Sequence, residues 1–266
     1  MKTTCLLTTI LLFGSLQAKP MNPLSKPIEC QLVSSVRKGC HVPLNEMADS
    51  PNWSGYFGAT NLVNPSTGSV TAVSGYWVVP TLHATKSDAF CAIWVGMDGV
   101  YNSTVEQLGT DQNWQDGAQV NSAWFEMYPA VPVTLQGFPV NNGDLIYASV
   151  TYLGSDSFEL YIENLTRGVY YYAPTSLTQS SIAQRNSAEW IVEAPAIEGG
   201  TVLPLSNFGA TTLYDCTAEI GGVSARITNS SWQSIPFYMH PTPGVIIQTL
   251  PASQDGANFT VTWTYN

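Results

Sequence analysis

Two glutamates four residues apart, Glu189 and Glu193, stand in the run Ala-Glu-Trp-Ile-Val-Glu (188–193). In an extended chain successive side chains alternate between faces. Glu189, Ile191 and Glu193 therefore share one face, and Ala188, Trp190 and Val192 the other. The apolar face suits burial inside a β-sandwich. Two acids on the opposite face suit a wet surface or a reaction site. The run Ala-Trp-Phe-Glu-Met-Tyr (123–128) repeats the pattern, with Trp124, Glu126 and Tyr128 on one face and Ala123, Phe125 and Met127 on the other. Carboxylates interleaved with large aromatics on a sheet face point to a substrate groove.

Other chemistries have little to stand on. The three histidines, His41, His83 and His240, are isolated and form no His-Glu-x-x-His, so a zincin site is unsupported. There is no Gly-x-Ser-x-Gly elbow, no Cys-x-x-Cys and no glycine-rich phosphate loop after a strand. No metal or cofactor is implied. Carboxylates, amides and aromatics remain. A carboxyl does general acid–base work when its surroundings set a suitable pKa, which apolar walls raise and hydrogen-bond donors lower. An amide is the natural companion, because its NH2 steadies an oxyanion while its carbonyl accepts from water. Gln107, in Val-Glu-Gln-Leu-Gly (105–109), offers one.

The elements that must position these groups read as strands. Runs rich in Val, Ile, Thr, Tyr, Phe and Trp recur at Thr71–Val79, Phe90–Val95, Val120–Tyr128, Leu145–Tyr152, Phe158–Ile162 and Ala188–Glu193. They continue at Thr211–Ile220, Val223–Thr228, Val245–Leu250 and Phe259–Tyr265, with turn residues between them. No helical period persists beyond a turn or two. The pattern predicts an all-β chain, a sandwich or jelly roll of antiparallel sheets.

Three divisions follow. Residues 1–18 carry Lys2, an apolar run from Leu6 to Leu12 and Ser-Leu-Gln-Ala, and read as a secretory signal. Residues 19–50, with four prolines, read as a leader or prosegment, and 51–266 as one β domain. The net charge is −10. The leader is mildly basic, whereas from residue 51 onward only Lys86, Arg167, Arg185 and Arg226 face 16 acids. Nucleic acid is an unsuitable partner for such a surface. Nothing after the signal is long and apolar enough to span a membrane as a helix. A secreted, soluble monomer suited to low pH is expected, since protonation relieves acidic self-repulsion. In an oxidising compartment, Cys30–Cys40 and Cys91–Cys216 are the expected disulfides.

The chain resembles the glutamic peptidases, the eqolisin family of acid endopeptidases. The matching stretches are Asn52–Tyr56, Gly75–Pro80, Trp94–Gly99, Glu106–Asp111, Ala123–Pro129, Gly143-Asp144, Ile162–Thr166 and Ala188–Glu193, in family order. The resemblance implies a sandwich of two curved antiparallel sheets, concanavalin-like, acting on proteins and peptides. It implies a catalytic pair of Gln107 with a glutamate at Glu193, or at Glu189 failing that. It implies direct attack by water, no cofactor, and indifference to pepstatin. Trp94, Asp98, Trp124, Glu126, Tyr128 and Glu189 would line the cleft, with Asn52 and Trp53 closing one end. Alternation along 94–98 independently puts Trp94, Gly96 and Asp98 on one face. The chain departs from the family's pattern at Ser122, where an Asp is common, and at Met127, where a Trp is frequent. Two other readings stay open: a jelly-roll glycoside hydrolase using Glu126 and Glu193 as paired carboxyls, and a non-catalytic carbohydrate- or peptide-binding sandwich.

Overall fold

The computed structural model describes residues 21–34, 49–173, 177–197, 200–242, 245–249, 253 and 255–265. The predicted signal and residues 35–48 of the leader, including Cys40, lie outside them. In chain order the strands are β1 (Lys26–Pro27), β2 (Gln31–Ser34), β3 (Asp49–Ser50), β4 (Trp53–Ala59), β5 (Val70–Val78), β6 (Ala92–Met97) and β7 (Val105–Gln115). Next come β8 (Ala118–Tyr128), β9 (Val133–Gln136), β10 (Leu145–Gly154), β11 (Ser157–Asn164), β12 (Val169–Tyr172) and β13 (Leu177–Thr178). The last are β14 (Ala188–Glu193), β15 (Ala210–Ile220), β16 (Val223–Arg226), β17 (Gln233–Thr242), β18 (Val245–Thr249) and β19 (Phe259–Tyr265).

Two sheets form. The front sheet runs β2-β9-β8-β7-β6-β14-β4-β17. The back sheet runs β1-β12-β11-β10-β5-β15-β19-β18-β17. β17 serves both: Gln233–Phe237 pairs with β4, and its later residues pair with β18. The all-β sandwich expected from the sequence is present. Its pairing is antiparallel through the body. The two parallel strand pairings among the described residues, β1 on β12 and β3 on β17, come from the stretch read as a leader. That stretch is thus partly built into the sheets: residues 26–34 add an edge strand to each.

The alternation read from sequence decides what fills the space between the sheets. Ala188, Trp190 and Val192 meet Ile93, Val95, Met97, Leu108, Ala123, Phe125 and Met127 from the front sheet, and Val73, Trp77, Ile146, Ala148 and Val150 from the back. Each fully buried aliphatic side chain contributes roughly 1.5–3 kcal/mol. Trp190 also donates its Nε1–H to the Ser74 carbonyl at 2.8 Å, tying the two sheets at their centre. Gly75 makes room for it, since a Cβ there would stand 3.2 Å from the indole.

The disulfide expectations are corrected. Cys30 and Cys216 carry free thiols, so neither pairing forms. Cys216 sits on β15 in the back sheet and Cys91 lies just ahead of β6 in the front one. Both thiol-bearing positions are core positions, and an even cysteine count does not by itself make two Cβ vectors converge.

Candidate active site

The front sheet's outer face carries almost every group picked out above. Cross-strand partners share a face, so the register lays them out in rows. One row reads Trp53, Glu193, Ala92, Asp111, Ser122. The next reads Gly55, Ile191, Trp94, Gly109, Trp124. The third reads Phe57, Glu189, Gly96, Gln107, Glu126. The sequence segments are far apart; β14, β6, β7 and β8 lie side by side.

The middle row is the floor. Trp94 spreads over Gly109, where any Cβ would collide with Trp94 itself and with the Ile93 carbonyl. Trp53 meets Trp94 edge-on, with ring centroids 5.1 Å apart at 78°. Trp124, Phe57, Ile191, Val105 and Phe237 complete this second apolar cluster, with Tyr128 packed against it. Gly96 leaves Gln107 its space, because a Cβ there would lie 3.0 Å from the Gln107 Cβ.

Glu193 is 5% exposed. Trp94 donates Nε1–H to its Oε2 at 2.8 Å, and Asn52 Nδ2 reaches Oε1 at 3.4 Å. Two N–H groups are thus aimed at this carboxylate. Gln107, also 5% exposed, donates Nε2–H to Glu126 Oε2 at 2.7 Å. That bond sets the amide's orientation, and it leaves the carbonyl Oε1 with no partner among the described residues. Ser122, the departure from the family pattern, donates its hydroxyl to Asp111 Oδ2 at 3.5 Å in the Glu193 row.

Glu189 lies on the same face of the same strand, yet it is fully buried. Neither carboxyl oxygen has a hydrogen-bond partner among the described residues. Burial pushes its pKa well above the usual carboxyl range; the nearby Ser187 hydroxyl relieves this in part, and the Asp98 and Glu106 carboxyls add to it. Glu106 points the other way, into the space between the sheets. Burial also drives it up, reinforced by Asp98, against the lowering effect of Gln179, whose amide donates to Oε1 at 2.6 Å.

Asp98 departs from the alternation. β6 ends at Met97, and Asp98 adopts a positive φ of 69°. Its carboxylate accepts the Arg185 amide at 2.7 Å and the Asn186 amide at 2.9 Å. It is fully buried, and these two bonds hold the turn leading into β14. Burial raises its pKa, against those two amide bonds.

Sequence reasoning missed some contributors. Gln179 ties Glu106 to the Tyr128 carbonyl, at 2.6 and 2.9 Å, from a stretch of small polar residues that carries no signal. Phe237 arrives from β17, stacked on Phe57 at 4.7 Å; its alternating neighbours gave a hint that Pro236 obscured.

The two-sheet sandwich is the fold of the peptidases whose motifs the sequence carries. A model of the Peptidase A4 family matches residues 51–254, and the chain belongs to that family. It is 30% identical to aspergillopepsin-2 of Aspergillus niger over 150 residues, 56% of this chain. It is 29% identical to scytalidopepsin B of Scytalidium lignicola over 196 residues, 71% of this chain. These matches span about half the length of the first relative (51%) and 71% of the second. A crystal structure of scytalido-glutamic peptidase with a transition state analog inhibitor superposes with a TM-score of 0.64 and 26% identity, covering 81% of this chain and 99% of that one.

Proposed function

We propose that this protein is an acid endopeptidase in which Glu193 is the general base and acid and Gln107 stabilises the oxyanion. The observation that carries the reading is the pair of donors on Glu193, set on the same tryptophan-floored face as an oriented Gln107 amide. In the sheet register their strands are two apart and their positions four residues apart, about 10 Å across and about 13 Å along.

The reaction would run as follows. Glu193 takes a proton from water as its oxygen attacks the scissile carbonyl carbon. Gln107 Oε1 accepts from that water, and the Nε2 hydrogen not used by Glu126 meets the developing oxyanion. The tetrahedral species collapses, the C–N bond breaks, and Glu193 returns its proton to the leaving amine. No covalent enzyme intermediate is needed. Glu126 is a positioning residue: it acts through Gln107. A crystal structure of scytalido-glutamic peptidase with a peptide based transition state analog supports a peptide as substrate. Residues 1–18 as a signal, 19–50 as a leader shed in acid, and secretion belong to the same reading.

Casein digestion across pH 2–7, with and without pepstatin, tests it. Wild type is expected to cleave in acid despite pepstatin, and Gln107→Ala and Glu193→Ala to lose this activity. A protein that leaves casein intact and cleaves a β-glucan, with that cleavage kept in Gln107→Ala, would replace the peptidase with the paired-glutamate glycosidase; full casein cleavage by Gln107→Ala would remove Gln107 from the mechanism.

A further inference from the structure

Five sequons of the form Asn-x-Ser/Thr lie in the chain: Asn52-Trp-Ser, Asn102-Ser-Thr, Asn164-Leu-Thr, Asn229-Ser-Ser and Asn258-Phe-Thr. Asn64-Pro-Ser is barred by its proline. In an exported chain each of the five could accept an N-linked glycan. A sugar on Nδ2 must run out into solvent, and the amide then keeps only one hydrogen. The fold sorts the five on these two conditions.

Asn164, the last residue of β11, is fully buried, and its Nδ2 donates to both the Pro139 carbonyl and Asp144 Oδ2, each at 2.9 Å. Asn52 is fully buried with Nδ2 aimed at Glu193. Asn102 turns Nδ2 toward Oδ1 of the buried Asn186 at 3.4 Å. Its sequon threonine, Thr104, is buried as well and donates its hydroxyl to Asp98 Oδ2 at 3.4 Å. Asn258 leads straight into β19, with Phe259 in the core and the Thr260 hydroxyl 2.8 Å from that of Thr212. Its own Oδ1 accepts the Asp215 amide at 2.9 Å.

Asn229 meets both conditions. It lies on the turn between β16 and β17. Its N–H donates to the Arg226 carbonyl at 3.1 Å, and Trp232 N–H donates to the Asn229 carbonyl at 3.4 Å. Trp232 is buried and anchors the turn, giving Nε1–H to the Ile227 carbonyl at 2.8 Å. Around that anchor Thr228, Ser230 and Ser231 are exposed. Asn229 Oδ1 accepts the Ser231 amide at 2.8 Å, an Asx turn that fixes the side chain by its oxygen. Its Nδ2 has no partner among the described residues. Beside it runs an open groove of about 560 Å³, lined by Arg226, Thr228, Ser230 and Asp255.

We propose that Asn229 is an N-glycosylation site, and the one of the five that the folded protein carries. The co-reactant is an oligosaccharide borne on a lipid pyrophosphate. The bond from the sugar's C1 to the pyrophosphate oxygen breaks, and the pyrophosphate leaves with the bonding pair. C1 joins Nδ2, which gives up one proton. Oδ1 is untouched, so the Asx turn survives the change. The groove then offers the first sugars the Arg226 guanidinium and the Ser230 hydroxyl as donors and the Asp255 carboxylate as an acceptor. The proposal rests on the reading of the chain as exported, and not on the peptidase chemistry.

The test exports the full chain from a yeast behind that host's own signal peptide. The product is weighed intact before and after a glycan-removing amidase that converts the carrier asparagine to aspartate. Wild type is expected to lose the mass of one glycan, and peptide mapping to find the conversion at Asn229 and at none of Asn52, Asn102, Asn164 or Asn258. Asn229→Gln, and Ser231→Ala with Asn229 left in place, should each abolish the mass difference completely. Asn102→Gln and Asn258→Gln should leave it whole. Chain retained in the cell is mapped in the same way. Wild type without sugar at Asn229, or a glycan on another of the five in its place, overturns the assignment. The host supplies the signal and casein cleavage is not read, so export by residues 1–18 and the peptidase reading stand or fall separately.

Discussion

The two ends of β14 make an instructive pair. Glu189 and Glu193 have the same chemistry, lie on the same strand and point to the same side. At one end Trp94 and Asn52 aim N–H groups at the carboxylate. At the other, two buried oxygens have no hydrogen-bond partner among the described residues, and the charges of Asp98 and Glu106 are a further deterrent to ionisation. Position in the sequence does not separate an acid that can carry charge from one that must stay neutral. The neighbouring strands do, through the donors they bring or withhold.

That contrast can be broken at its active end first. Glu193→Ala removes the proposed base and should lower kcat/KM by about 10²–10⁴; a peptide-cleavage assay at the wild-type optimum reads it. Gln107→Ala is next, with a loss of about 10²–10³ carried in kcat rather than KM, as for the removal of an oxyanion donor. Trp94→Phe keeps the aromatic floor but deletes the donor to Glu193. A drop of roughly tenfold and a displaced pH profile are expected, whereas a merely structural Trp94 would leave the profile in place.

The smallest effect belongs to the silent end. Burial raises the carboxyls of Glu189, Glu106 and Asp98, so the folded chain holds these protons more tightly than the unfolded one. The stability this supplies is complete below the ordinary carboxyl range, near 4. It is lost as the pH climbs through the raised values. Melting temperature should therefore fall from acid toward neutral pH. Glu189→Gln, which imitates the protonated form, should stabilise the protein at pH 7 by on the order of 1–3 kcal/mol and change little at pH 3. Thermal melts by circular dichroism at both pH values decide it.

Much of this was legible in the sequence where one face is apolar. β14 and β8 showed their alternation plainly, and the two apolar clusters divide their residues as the period of two demands. The resemblance supplied the partner strand. β7 was not among the strands read from composition, because Val-Glu-Gln-Leu-Gly-Thr-Asp-Gln is polar on both faces though buried throughout. It is a strand because both edges are taken, by β6 and β8, which no local propensity reports. β4 and β17 were hidden by glycines and by Pro236. At Asp98 alternation stops being a guide for a local reason: β6 ends at Met97, and the next residue takes a positive φ. The leader looked irregular because its order comes from Glu163, 138 residues away from Ser25.

The most direct measurement pairs two isosteric variants on one strand. kcat/KM for a single fluorogenic peptide would be followed from pH 2 to 6 in Glu193→Gln and Glu189→Gln. The Glu193 variant should lose at least about 10² at every pH, while the Glu189 variant should stay within a few-fold of wild type. An inactive Glu189→Gln beside an active Glu193→Gln would contradict the assignment of the working carboxylate.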